Sequence, residues 1–322
     1  MNLAVIGHGA MGGEHVEAML EIGGVTPYVV AGPDEAAVAA FASRYGFERH
    51  TTDPMEAIVD AGVDVVVIAS PNDAHALQAR AAIESGKHVL VEIPVAMRWS
   101  EAEAMANLAM ASNQVVMAAH TSRFYPAVQR LVAAVRAGDL RPHHVVSSMG
   151  TNKRRNLNWK GEQRDWVDDL LWHHGMHVVD TILQLFEGSA VEEAFAHAGA
   201  RHPLHGGVMD VSASLRFASG GLATVGLSYH AQHQFTRYLI VAEESFVDLA
   251  QDAPGAGRTD LTEGHPFRDL VKAQDGEFLE ACKEGGPSPV SIASVLPAMR
   301  VVDRLHQQIS SAAVNHAAIP VP

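Results

Sequence analysis

Two rhythms of apolar and polar residues divide the chain. Up to about residue 120, short unbroken apolar runs alternate with stretches of helical spacing. The runs are LAVI at 3–6, YVVA at 28–31, DVVVIA at 64–69, HVLVEI at 88–93 and VVMAA at 115–119. A short run with no polar alternation suits a strand buried on both faces. Between the runs, apolar residues at helical spacing predict helices over Glu14–Ile22, from Asp34 to near Tyr45, from Asp53-Pro54 onward, over Ala74–Ser85 and around 100–112. Asp34 and Asp53 are cap residues, and Pro54 suits a first helical turn. Strands alternating with helices imply a doubly wound parallel sheet of the Rossmann type over residues 1–120.

Beyond His120 the rhythm changes. Helices are expected at Pro126–Ala137 and Asp169–Leu185, with an extended stretch at 143–149 and an irregular basic segment at 152–165 between them. From about 191 to 250 the chain is mostly extended, as in the alternating DVSASLRF, and helices return near 269–283 and 292–311. Strands joined by short turns favour a largely antiparallel, open sheet. Residues 121–322 are therefore expected to form an α+β domain that holds the substrate. The whole chain belongs to the α/β class.

Composition narrows the function. The chain has 322 residues, 48% of them hydrophobic, and a formal net charge of −14. Such a surface repels phosphate backbones and anionic lipid, so neither nucleic acid nor membrane is an expected partner. A single cysteine, Cys282, excludes an internal disulfide, and a cytoplasmic location is expected. No apolar run has the length of a membrane span.

The expected cofactor site is the turn Gly7-His8-Gly9-Ala10-Met11-Gly12, a G-x-G-x-x-G pattern between a strand and a helix. The first glycine permits the tight turn, the second lets the backbone approach a pyrophosphate, and the third allows close helix–strand packing. An acid at the end of the second strand would bond the ribose hydroxyls of NAD, but Gly32 stands there, which favours NADP while leaving NAD open. Ser70-Pro71-Asn72, with His75 just beyond, and Glu92-Ile93-Pro94 follow strands at the edge where such sheets place ligands.

These motifs together resemble the glucose–fructose oxidoreductase/inositol dehydrogenase (Gfo/Idh/MocA) family over nearly the whole chain. The resemblance rests on GHGAMG at 7–12, SPNDAH at 70–75, GKHVLVEIP at 86–94 and HGMHVVD at 174–180. It implies a dehydrogenase with a nicotinamide cofactor and a homodimer or homotetramer. Where the family usually carries a catalytic lysine after its fifth strand, this chain has Ile93. His177 matches the family's catalytic histidine, and His173 stands where an aspartate is usual. Glu-Ile-Pro, HTSRFYP at 120–126, KRRNLN at 153–158 and KGEQRDWVDDLLWHHGMH at 160–177 look like one branch, the 4-carboxy-2-hydroxymuconate-6-semialdehyde dehydrogenases. That likeness implies NADP-dependent oxidation of a cyclic hemiacetal to 2-pyrone-4,6-dicarboxylate, in protocatechuate 4,5-cleavage.

His173 and His177 are four apart and share a face of an α-helix. They can be a buried hydrogen-bonded pair, two ligands of a zinc, or acid–base groups. The acid–base reading is the stronger, because the glycine turn already supplies a redox reagent, so no metal is expected. Asp168 can orient a histidine, receive the proton or cap the helix. His174 points about 100° away on an α-helix. For a small anionic dicarboxylate the candidate contacts are Arg123, Arg154, Asn156, His174 and Arg237. Guanidinium groups match carboxylates in pairs of hydrogen bonds, although the run Lys153-Arg154-Arg155 can also be a solvated charge cluster. A sugar or cyclitol dehydrogenase, a non-catalytic NADP-binding sensor and a metal-dependent lyase or hydrolase are the competing readings.

Overall fold

The structure, a computed structural model, describes residues 1–153, 155, 157, 161, 167–203, 206–251 and 258–312. The chain divides into two compact units. One holds Met1–Gln129 together with Thr262–Met299, and the other is built on Arg130–Asn156, Val167–Leu261 and the chain from Arg300. A single cut at residue 120 does not capture the return of the chain to the first unit.

The first unit contains a six-stranded parallel sheet. Its strands are β1 (Asn2–Ile6), β2 (Thr26–Ala31), β3 (Arg49–Thr51), β4 (Val65–Ile68), β5 (His88–Glu92) and β6 (Val116–Ala119), in the order β3-β2-β1-β4-β5-β6. The order reverses between β1 and β4, the switch point at which doubly wound sheets bind ligands. Pairing register aligns Ile6 with Ala31 and Ile68, and Ile68 with Val91. Gly7, Gly32, Ala69 and Glu92 therefore leave the sheet at one common edge. The crossover helices are α1 (Ala10–Ile22), α2 (Glu35–Tyr45), α3 (Pro54–Val59), α4 (His75–Glu84) and α5 (Trp99–Met110). Asp34 caps α2 by accepting from the Ala37 amide, and Asp53 caps α3, as the sequence predicts.

The helix α8 (Phe267–Glu284) packs on α1 in the same unit. Arg268 on α8 pairs with Glu14 and Glu17, and Lys272 pairs with Glu21. Beside these pairs lies a fully buried imidazole. His15 on α1 faces the Asp275 carboxylate at 2.8 Å through Nδ1 and the Glu92 carboxylate at 2.8 Å through Nε2. Two acceptors on opposite sides call for a ring with two N–H donors. Complete burial works against the charge, but Asp275 and Glu92 outweigh it and push His15 up to about 10. Gln274 donates to Asp275, and Thr121 donates to Gln274, so the network runs from the end of β6 to the end of β5.

The second unit carries a seven-stranded mixed sheet. Its strands are β7 (Pro142–Asn152), β8 (Val191–Ala198), β9 (Asp210–Phe217), β10 (Leu222–Ser228), β11 (His230–Ala242), β12 (Ser245–Ala250) and β13 (Arg258–Asp260), in the order β13-β12-β11-β7-β10-β9-β8. Most neighbours are antiparallel, while β7–β10 and β12–β13 are parallel. Alternation along the strands buries Val145, Ser147, Met149, Tyr238, Ile240, Val225 and Leu227 on one face. The segment expected as one helix from Asp169 is a π-helical turn, Leu171–Gly175, running into α7 (Met176–Leu185). α6 (Pro126–Ala137) and α9 (Ile292–Ala312) complete the helices. Among the described residues no helix is long and apolar enough to cross a membrane.

Breaking the His15 pair leaves a buried charge without its counterion, which typically costs about 3–5 kcal/mol. Asp275→Asn and His15→Ala should each lower the urea midpoint by a comparable amount. A histidine raised from about 6.5 contributes fully below that pH and loses its contribution as the pH climbs toward its folded value. Wild-type stability should therefore decline between pH 6.5 and 10, and His15→Gln should flatten that decline in thermal melts.

Candidate active site

The β1–α1 turn is shaped for a dinucleotide. Gly7 has φ +111°, and a Cβ there would lie 2.3 Å from the Ala69 carbonyl oxygen at the end of β4. At Gly12 a Cβ would come within 2.0 Å of the Gly7 carbonyl oxygen, so any side chain would wedge α1 away from the strand. Gly9 differs: a Cβ there meets no atom within 4 Å. Gly9 is also the N-cap of α1, with no side chain capping the helix. Open space over an uncapped helix N-terminus, beside Ala10 and Met11, fits a pyrophosphate. These residues could hold NAD or NADP, which when bound supplies the hydride acceptor.

Other residues expected at this edge act through one another. His75 is buried, and its ring nitrogens lie 2.8 Å from the Pro94 and Ser70 carbonyl oxygens. It ties the loop after β4 to the loop after β5, so its side chain is spent on positioning rather than on the cofactor. The Ser70 hydroxyl bonds Gln78, while Pro71 and Asn72 form a short turn into α4. Glu92 is held by His15, and its other oxygen accepts from the Ile93 amide. The Ile93 side chain is buried, so at this position no side chain stands ready to carry a proton.

In the second unit, a polar cluster forms around the π-helical turn. His173 Nδ1 lies 3.2 Å from the buried Asp168 carboxylate and 3.3 Å from the Tyr229 hydroxyl. His174 Nδ1 lies 3.4 Å from the same hydroxyl, and the two histidine rings are 4.2 Å apart at their centres. Lys153 Nζ is 3.7 Å from Asp168. The sequence pairs His173 with His177 through α-helical spacing. The structure also brings the consecutive His173 and His174 onto one tyrosine, within the π-helical turn. His177 follows on α7, with its Nδ1 buried. Among the described residues no three His, Cys, Asp or Glu side chains are arranged to hold a metal ion.

The expected carboxylate contacts are distributed unevenly. Arg154 and Asn156 lie outside the described residues. Arg123, just after β6, directs its guanidinium to the Ser294 hydroxyl and carbonyl, both at 2.9 Å. Arg237, whose facing the sequence leaves open, lies on the sheet face opposite Tyr238 and Ile240 and forms paired 2.8 Å hydrogen bonds with Asp248. The π turn stands on the other face, where a Cβ at Gly175 would be 3.4 Å from Leu227. Arg237 is thus neutralised and turned away from the histidines. Sequence reasoning did not single out Tyr229, His15 or Asp275. His15 is one helical turn beyond Gly12, which was a readable signal, whereas Tyr229 and Asp275 act through contacts distant in sequence.

The turn geometry separates two kinds of glycine variant. Gly9→Val should fold normally yet lose at least about tenfold in cofactor affinity, because its side chain enters open space that the pyrophosphate needs. Gly12→Val should instead lower thermal stability, because it meets backbone. Cofactor titration beside thermal melts distinguishes the two, and unchanged affinity in Gly9→Val would contradict the assignment.

Known proteins share this family and fold. Residues 1–120 match the family model described as "Oxidoreductase family, NAD-binding Rossmann fold", named for Gfo/Idh/MocA, and residues 126–255 match "Bacterial oxidoreductases, C-terminal". A relative from a Sphingobium species, "4-carboxy-2-hydroxymuconate-6-semialdehyde dehydrogenase", is 33% identical over 96% of this chain and 99% of its own length. Among solved structures, a levoglucosan dehydrogenase in complex with NADH superposes with a TM-score of 0.83 at 22% identity, covering 97% of each chain. The scyllo-inositol dehydrogenase of Lactobacillus casei, with bound NAD(H) and scyllo-inositol, gives 0.81 at 16% identity, again over 97% of each chain. With matched models over both the cofactor-binding and C-terminal regions and a relative aligned along nearly its full length, the chain belongs to the Gfo/Idh/MocA family of oxidoreductases.

Proposed function

We propose that the protein is an NADP-dependent dehydrogenase that oxidises the cyclic hemiacetal of 4-carboxy-2-hydroxymuconate-6-semialdehyde to 2-pyrone-4,6-dicarboxylate, in aromatic catabolism. The observation that carries the reading is the Asp168–His173 contact beside Tyr229. Near-full-length similarity to the Sphingobium dehydrogenase supports the substrate. A carboxylate that accepts from Nδ1–H fixes the tautomer of an imidazole and leaves Nε2 as the base. His173 then takes the hemiacetal hydroxyl proton as the ring carbon gives up hydride and the carbon–oxygen double bond forms. The Lys153 ammonium stands 3.7 Å from the Asp168 carboxylate. Lys153 and Arg154 are the cations we assign to the substrate carboxylates, with Arg123, which bonds Ser294, as a further candidate.

A second reading, oxidation of a neutral sugar or cyclitol, is favoured by one observation. Arg237 is already paired, and Arg123 is engaged with Ser294, which removes two cations from the expected carboxylate clamp. We further propose a cytoplasmic homodimer or homotetramer. Val146, Leu222, Val241, Phe195 and Phe246 are exposed on strands of the open sheet, on the face away from its buried side. A second copy of the chain covering that face would remove them from water.

Turnover measured with dicarboxylate hemiacetals, sugars and inositols, each with NADP and NAD, tests the proposal. The dicarboxylate with NADP should give the highest kcat/KM, and a clear preference for sugars would establish the second reading. His173→Ala should lower kcat by about 10²–10⁴-fold, the usual contribution of a positioned base. Asp168→Asn should lower kcat with little change in KM, whereas Arg154→Ala should mainly raise KM. A near-normal kcat in His173→Ala alongside a large loss in His177→Ala would move the base to His177. For the assembly, Val241→Glu combined with Phe246→Glu should reduce the mass in light scattering to that of a monomer.

A further inference from the structure

One side chain of the glycine turn is left without an assigned task. His8 lies with its ring against Gly32, so closely that a Cβ at residue 32 would come within 2.0 Å of Nδ1 and 2.6 Å of Cε1. Gly32 ends β2, the place where a carboxylate bonds the ribose hydroxyls in NAD-binding sheets. Glycine here therefore does more than omit an acid: it makes room for the imidazole. Nδ1 is buried and has no hydrogen-bond partner among the described residues. Nε2 is the nitrogen left to meet a ligand.

Among the described residues of β2, α2 and β3, the two arginines that could grip a 2′-phosphate are already paired, Arg49 with Asp60 and Glu56. From Tyr28 to Ala37 the sequence contains no lysine or arginine. Arg44, farther along α2, is paired with Glu17. His50 on β3 faces Glu35. Asp34 caps α2 and acts on His8 through its charge, although burial dominates and lowers the His8 pKa below its ordinary value.

We infer that His8 is the specificity-determining residue for the adenosine end of the cofactor, donating from Nε2 to the 2′-phosphate of NADP in the space that an acid would otherwise occupy. The inference rests on the NADP reading proposed above. A hydrogen bond to a charged group typically contributes about 1.5–3 kcal/mol, equivalent to about ten- to a hundredfold in affinity. NAD, with only a hydroxyl at that position, should depend on His8 far less.

The test is calorimetric binding of NADP, NAD and 2′,5′-ADP to the full-length protein. His8→Ala and His8→Phe should each weaken NADP and 2′,5′-ADP by about ten- to a hundredfold, with NAD changed by no more than about threefold. The phenylalanine keeps a ring against Gly32 and removes only the nitrogens, so it guards against a loss of packing. His8→Gln, which restores an N–H donor, should recover part of the affinity. Equal losses for NADP and NAD, or an unchanged ratio of the two, would overturn the inference. If the wild-type protein binds NAD more tightly than NADP, the NADP reading falls. The ratio still judges His8: a further drop in NADP relative to NAD on His8→Phe supports the inference, and no change refutes it.

Discussion

The buried imidazole of His15, held between the carboxylates of Asp275 and Glu92, is the interaction on which the cofactor-binding unit depends. It joins three elements that local sequence cannot connect: α1, which begins at the glycine turn, the end of β5, and α8, some 260 residues after His15. A fully buried charge is unfavourable unless its partners are fixed, so the pair specifies one docking of α8 on α1 more sharply than apolar packing alone. The exposed Lys272–Glu21 pair adds little energy by comparison, since solvent screens it.

The same network fixes the catalytic edge. Glu92 is the last residue of β5, and with one oxygen on His15 and the other on the Ile93 amide it holds the loop that continues to Pro94. His75 binds that loop to the one after β4. The edge is therefore stiff before any cofactor arrives, with its open volume left over Gly9. Preorganisation of this kind reduces the ordering cost of binding, because the pyrophosphate finds backbone amides already aimed at it.

In the second unit, the polar cluster lies at a departure from regular helix geometry. The π turn at Leu171–Gly175 brings His173 and His174 together on Tyr229 and sets His173 against Asp168. Such turns need surroundings that hold them, and here the glycine at its end permits close approach to Leu227 on β10.

The sequence by itself determined the doubly wound sheet, its glycine turn, the helix caps at Asp34 and Asp53 and the extended second half. Each depends on neighbours within a few residues: apolar runs bury strands, glycines permit turns, and aspartates cap the next amide. It also located the histidine-bearing segment, because WHHGMH is local information. What it could not decide was which side chains meet. Arg237 faces away and binds Asp248 because strand parity and its pairing partner set its side of the sheet. His173 and His174 meet at Tyr229, which comes from more than fifty residues away. Asp275, Glu92 and His15 converged because α8 returns to the first unit, and the space beside Gly32 is filled by His8. Those outcomes are contacts between residues distant in sequence, and only the packed tertiary structure selects among them.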